Sequence, residues 1–141
     1  MRFMMMMKCN KDSEAGRLPD PRLLAEIMKH SQEMRKAGIL LETGGLMPTS
    51  KGARIHVSKG KADVIDGPFA ETKEQMLGFY LIDCPNLAAA LEVARELACA
   101  NPGVGGYEIR PVALYVPGTP SAERLAHRPA DGGAPVTASA P

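Results

Sequence analysis

The order of strands and helices expected along this 141-residue chain predicts an α+β fold. The pattern is the ferredoxin-like βαββαβ topology with an inserted β-hairpin, in which an antiparallel sheet carries both helices on one face. Three observations lead to it. Two short runs are apolar at every position, as central strands are. Two amphipathic helical patterns alternate with strands, and a turn of hairpin length that contains glycine precedes the second apolar run.

Six segments have the composition of β-strands and are bounded by residues that favour turns. Residues 3–7 and 76–82 are the two apolar runs, and we expect them to be the central strands of the sheet. Pro111 interrupts the last segment, which indicates an edge strand because proline cannot donate to a ladder. The six predicted strands are 3–7, 39–46, 53–57, 62–65, 76–82 and 107–116.

Two helices are predicted from the residues at their ends. Asp20 and Pro21 are a typical start, with Asp as N-cap and Pro where its missing N–H costs nothing. Gly38 ends this helix, and Asn86 caps the second. The apolar stripe of the first comprises Leu24, Ile27, Met28, Ser31 and Met34, and that of the second Leu87, Ala90, Leu91, Ala94 and Ala98. Residues 10–19 are polar and contain Gly and Pro, which predicts a loop.

Composition excludes several classes of function. The formal net charge of +1 and an aromatic content of 4% argue against nucleic-acid binding and against an anionic membrane as partner. The three cysteines form no CxxC pair and the three histidines lack ligand spacing, so no metal is predicted. No dinucleotide motif is present, so no cofactor is predicted. The apolar N-terminus is too short for a signal peptide or a membrane span, and we expect a cytoplasmic protein.

The length suits one domain, which we place at residues 1–116. Residues 117–141 are dense in Pro, Ala, Gly, Ser and Thr and are expected to form a flexible tail. Two helices can cover only one face of the sheet, whereas both central strands are apolar on both faces. We therefore predict a homodimer that packs through the sheet face. The alternative, that the tail covers this face, is disfavoured by its shortage of large aliphatic side chains.

The stretch from Asp66 to Glu74 delivers polar groups to the start of a central strand. Gly67 and Pro68 make a stiff turn that can hold a carboxylate in place. Asp66 and Glu71 could converge on a pocket as general acid, general base or ligand anchors, with Lys73 keeping them ionised. The alternative is a turn that its own charges stabilise.

Two further residues are candidates for the site. His30 flanks the apolar stripe of the first helix and is either a packing residue or a partner of Asp66. Arg110 leaves the last strand and either binds an anionic ligand or forms a structural ion pair. Neither alternative is decided by the spacing.

Residues 66–74, DGPFAETKE, and 77–82, LGFYLI, resemble the signature of the DGPF branch of the YCII-related (YciI-like) family. Segments 37–40, 45–48 and 108–112 are similar to that branch as well. The resemblance covers about residues 1–115 and implies a ferredoxin-like, dimeric α+β barrel.

The resemblance also implies small bacterial cytoplasmic proteins, some linked to extracytoplasmic-function sigma factors, with an active-site His-Asp pair in the YciI branch. The place of that histidine corresponds here to Ile27, with His30 one turn later. Two hypotheses follow. The first is a small-molecule enzyme or binding protein with Asp66 as acid/base in a cleft between sheet and helices. The second is a non-catalytic accessory or regulatory module associated with such a sigma factor.

Overall fold

The computed structural model describes residues 1–70, 74–101 and 103–116, and its architecture confirms the predicted α+β, ferredoxin-like fold. The strands are β1 (Arg2–Lys8), β2 (Leu40–Gly45), β3 (Ala53–Ser58), β4 (Lys61–Asp66), β5 (Met76–Asp83) and β6 (Gly106–Pro111). The helices are α1 (Lys11–Glu14), α2 (Pro21–Lys36) and α3 (Leu87–Ala100), with a 3₁₀ turn at Thr49–Lys51. The predicted tail lies outside the described residues.

Four strands form one antiparallel sheet in the order β2-β5-β1-β6, and β3 and β4 form a separate two-stranded sheet. The two apolar runs are the central strands, as predicted, and β6 lies at an edge. Met5 of β1 lies opposite Tyr80 of β5 on one side and Ile109 of β6 on the other. This register sends Met5 and Tyr80 to the same face of the sheet, because directly opposed residues share a face.

The core lies between this face and α3. Phe3, Met5 and Ile82 have no solvent exposure. Helix α3 places Ala90 and Ala94 against the sheet, and these short side chains let its backbone approach closely. Asn86 begins the helix as predicted, since its side chain accepts a hydrogen bond from the Ala89 N–H at 2.9 Å.

Helix α2 starts and ends where the sequence predicts but packs less closely. The Asp20 carboxylate accepts from the N–H groups of Arg22 and Leu23, and Gly38 follows the helix with φ of +73°. Met34 is its only buried residue among those described. Leu24 and Met28, which the predicted stripe placed in the core, are 45% and 56% exposed. The helix therefore touches the sheet mainly near its C-terminal end.

Segment 10–19 contains the short helix α1 where the sequence predicted only loop. The Asn10 side chain accepts from the Ser13 N–H at 2.8 Å, and the Ser13 hydroxyl accepts from the Asn10 N–H at 2.9 Å. This reciprocal cap satisfies backbone donors that would otherwise be unpaired. Polar composition alone hid the helix, because residues that cap helices are also those that favour turns.

The β3–β4 hairpin, also predicted, turns at Lys59 and Gly60, whose φ angles of +50° and +78° match the two-residue turn that suits twisted strands. Side chains alternate between its two faces. The apolar residues of one face are Ala53, Ile55, Val57, Ala62 and Val64, and Asp66, opposite Ala53, lies on the same face at the base of the hairpin. Ile55, Val57 and Val64 are each about two-thirds exposed, so no described part of the chain covers this face.

The Asp66 turn fastens the hairpin to the 3₁₀ turn. The Gly67 N–H donates to the Gly52 carbonyl at 3.0 Å, and the Phe69 N–H donates to the Thr49 hydroxyl at 3.1 Å. A Cβ on Gly67 would lie 1.7 Å from the Thr49 carbonyl oxygen, so only glycine fits. The Arg54 guanidinium stacks 3.9 Å from the Phe69 ring centroid. No helix among the described residues is long and apolar enough to cross a membrane.

We predict that Gly67→Ala destabilises the fold by about 1–3 kcal/mol or more, because the new methyl overlaps backbone atoms that cannot move independently. Urea unfolding measures the change. Gly106→Ala is the matched control, since nothing lies within 4 Å of the position that its new methyl would occupy. Equal unfolding free energies for the two variants would contradict the close approach at Thr49.

Tyr107 generates a prediction about alkaline pH. Burial, with a smaller contribution from the neighbouring Tyr80, raises the pKa of Tyr107 to about 12 from the ordinary value of 10.0. The folded state therefore keeps a proton that the unfolded state loses above pH 10. Stability from this group is present below pH 10 and is lost as pH rises to about 12. The free energy of unfolding of wild type should therefore fall more steeply over this range than that of Tyr107→Phe. Parallel curves of unfolding free energy against pH would refute the assignment.

Candidate functional site

A cavity of about 1150 Å³ opens between α2 and the β2–β5 side of the sheet. Its volume is slightly above the roughly 300–1,000 Å³ that is typical of pockets for small molecules. The loop before α2 and the segment after β2 complete its rim. The wall is mostly apolar, and its principal side chains are Leu24, Ile27, Met28, Leu46, Met47 and Leu77.

The cavity exists because glycines occupy paired positions on the two strands beneath α2. Gly45 at the end of β2 lines the cavity, and no atom lies within 4 Å of the position that a Cβ on it would occupy. The partner position on β5 is also a glycine, Gly78, and a Cβ there would lie 2.5 Å from the Gly44 carbonyl oxygen. Close strand contact at this end therefore excludes side chains that would otherwise support α2. Apolar residues of α2 then face open space instead of a packed core.

Tyr80 and Ser31 bring hydroxyl groups to the cavity wall. Tyr80 is only 4% exposed. Burial raises the pKa of the Tyr80 phenol, and the facing Ser31 hydroxyl offsets part of that effect. A third hydroxyl, on Thr43, donates to the Phe79 carbonyl at 2.9 Å and is already satisfied.

Charged side chains occupy the rim of the cavity. Arg17 is paired with Asp12, with 2.7 Å between Nη1 and Oδ1. Arg35 donates to the Leu41 carbonyl at 3.3 Å. Lys51 lies at the end of the 3₁₀ turn and is exposed. These charged groups are at the surface, and the mostly apolar lining contains, besides its hydroxyls, the amide side chains of Asn10, Gln32 and Asn101.

The predicted site residues that the structure describes, Asp66, His30 and Arg110, do not lie together. Asp66 is exposed at the end of β4, opposite Ala53, and does not line the cavity. His30 is half-buried on α2, where its Nε2 is buried with no hydrogen-bond partner among the described residues. No hydrogen bond or ion pair joins these two described residues. Glu71 and Lys73 lie outside the described residues.

Arg110 lies on the other side of the sheet. It is exposed on β6 opposite Met4, whose side chain points away from the helices because Met5 points toward them. Glu108, two residues earlier, forms an ion pair with Lys8 at 3.1 Å. Arg110 is therefore separated by the sheet from both the cavity and His30.

Tyr80 was not predicted as a site residue, and Ser31 was predicted only as part of a helical stripe. The sequence feature that could have identified them is a hydroxyl group at a position that the strand or helix pattern assigns to the core. Within the ranges 1–70, 74–101 and 103–116, no cluster of three His, Cys, Asp or Glu side chains is placed to hold a metal.

Comparison with known proteins gives the family. Residues 1–115, which include every strand, every helix and the whole cavity wall described above, match the model of the YCII-related domain. An uncharacterized protein of Rhizobium meliloti (strain 1021) is 50% identical over 99 residues, which span 70% of this chain and 80% of that protein. These two matches confirm the resemblance that the sequence suggested, and the chain belongs to the YCII-related family.

Proposed function

We propose that this YCII-related protein binds a small, mainly apolar molecule in the cavity beside α2. The observation that carries the proposal is the combination of volume and lining. The cavity is large, its wall is apolar, and Leu24, Met28, Leu46 and Met47 remain about half exposed or more along it. A ligand that covers these side chains gains roughly 25 cal/mol for each Å² of apolar surface removed from water.

The same geometry bears on the acid/base role considered for Asp66. Its strand partner Ala53 is two residues beyond Lys51, which lines the cavity. Asp66 therefore lies at the base of the hairpin and does not line the cavity. The contacts of Gly67 and Phe69 with the 3₁₀ turn support a structural role for this turn. Binding in the cavity, without chemistry by Asp66 or His30, is the function that the geometry favours.

We predict that N-phenyl-1-naphthylamine, a neutral fluorescent probe, binds the wild-type chain and that Leu24→Asp weakens binding at least about tenfold, because a carboxylate in an apolar wall must be desolvated. Fluorescence titration gives the dissociation constants. Leu91→Asp is the matched control, since Leu91 is a helical leucine of similar exposure, 39% against 45%, outside the cavity.

Asp66→Asn should leave probe affinity unchanged. Equal loss of binding in Leu24→Asp and Leu91→Asp would place the probe elsewhere. No binding by wild type would refute the proposed function.

We further propose that a second copy of the chain covers the open face of the sheet together with the apolar face of the hairpin. Met4, Met6 and Phe79 project from the sheet on the side opposite the helices and are partly exposed. The hairpin is hydrogen-bonded at its base, and this face presents five apolar side chains to water with Asp66 at its base end. A two-stranded hairpin is marginally stable alone, so a partner that buries its apolar face supports it.

Sedimentation equilibrium should show a dimer that Val64→Asp weakens at least about tenfold, since a buried unpaired carboxylate costs several kcal/mol. Val64 is 68% exposed in a single chain, so the substitution leaves the protomer folded. Ser58→Asp puts the same charge on the opposite face of the hairpin and should leave the dimer intact. A wild type that stays monomeric at high concentration would contradict the proposal.

The exposed hairpin face also favours a second candidate function, a non-catalytic module that binds a regulator associated with an extracytoplasmic-function sigma factor. This alternative requires the face to be free in the isolated chain. A monomeric wild type that still binds the naphthylamine probe would favour it over the homodimer.

A further inference from the structure

We propose that the Tyr80 hydroxyl is the polar anchor of the cavity and donates a hydrogen bond to a carbonyl-type oxygen on an otherwise apolar ligand. The inference rests on the proposed binding function and goes further by naming the class of ligand. It assigns a binding role to a residue of a central strand and requires nothing from Asp66 or His30.

The position of Tyr80 is fixed from several directions. Its strand is hydrogen-bonded on both sides, with Met5 of β1 and Thr43 of β2 as its cross-strand neighbours. The side chain is 4% exposed, yet it lines the cavity. A ring held by packing on an internal strand presents its hydroxyl at a defined point, which lowers the ordering cost of binding.

The hydrogen bonds that the hydroxyl groups of the cavity wall already make determine how many donors remain free for a ligand. The Thr43 proton is used by the Phe79 carbonyl. No carbonyl or carboxylate of the described residues accepts a hydrogen bond from Tyr80, and its polar neighbour in the cavity is the Ser31 hydroxyl. Tyr80 and Ser31 carry two protons, and a contact between them uses one. The pair therefore offers one donor to the cavity.

The electrostatic setting selects a neutral acceptor. Burial raises the pKa of Tyr80, so the phenol stays protonated at neutral pH and acts as a donor. The charged groups Arg17, Arg35 and Lys51 lie at the rim, so a charged ligand oxygen at Tyr80 would be desolvated without a counter-ion. A ketone, aldehyde, ester or lactone oxygen meets both conditions. A hydrocarbon of the same shape would leave the donor unpaired.

The test compares 2-acetylnaphthalene with 2-ethylnaphthalene, which differ in a carbonyl at nearly constant shape, by fluorescence titration. Wild type should bind the ketone about three to ten times more tightly, the fold-change that corresponds to one net hydrogen bond. Tyr80→Phe should remove this ratio and retain the affinity for 2-ethylnaphthalene. Tyr107→Phe is the matched control, since Tyr107 is a partly buried tyrosine that does not line the cavity, and it should keep the ratio.

A second measurement does not depend on whether Tyr80→Phe folds. The ¹³C resonance of carbonyl-labelled 2-acetylnaphthalene should move downfield on binding to wild type, as a hydrogen-bonded carbonyl does, and an unchanged or upfield resonance would overturn the assignment. Equal wild-type affinities for the two compounds, or a ratio that survives Tyr80→Phe, would also overturn it while leaving the proposed binding function standing. If neither compound binds, both proposals fall.

Discussion

The unequal seating of two helices on one sheet is the constraint on which the rest of the structure depends. Helix α3 sits close because Ala90 and Ala94 are small and fully or nearly buried. Helix α2 contacts the sheet through Met34 near its C-terminal end, while the strands beneath it carry glycine at the paired positions Gly45 and Gly78. A gap between helix and sheet follows, and interiors otherwise close-pack. The sequence thus determines the cavity, through glycines on the strands below it and exposed Leu and Met side chains on the helix above it.

The Asp66 turn has a different task from the one its charges suggest. Gly67 packs where any Cβ would meet the Thr49 carbonyl, and Phe69 is held by a hydrogen bond to Thr49 and by Arg54. The Thr49 N–H in turn donates to the Glu14 carboxylate at 3.2 Å. Helix α1, the 3₁₀ turn and the hairpin are therefore joined through one threonine. This linkage leaves the apolar face of the hairpin uncovered by its own protomer, so that a partner can bind it.

Much of the fold could be predicted because its signals are local. The two apolar runs gave the central strands, Asp20 and Gly38 bounded α2, and Pro111 indicated the edge. The site could not be predicted in the same way. Helical periodicity places Leu24 and Met28 on a face of α2 but does not say whether the sheet reaches that face, since this depends on strand residues distant in the sequence. Asp66 drew attention by its charge, whereas Tyr80 was concealed by an apolar run that made it look like core.

Methionine-methyl NMR tests most directly whether the gap beneath α2 is the binding site. Methionines are placed on both sides of the sheet, with Met7, Met28 and Met47 lining the cavity and Met4 and Met6 on the opposite face. On addition of N-phenyl-1-naphthylamine to ¹³C-methyl-labelled protein, the resonances of Met28 and Met47 should shift the most, with a smaller change at Met7. Those of Met4 and Met6 should stay in place. Shifts confined to Met4 and Met6 would show that the open face takes the ligand and that the cavity does not.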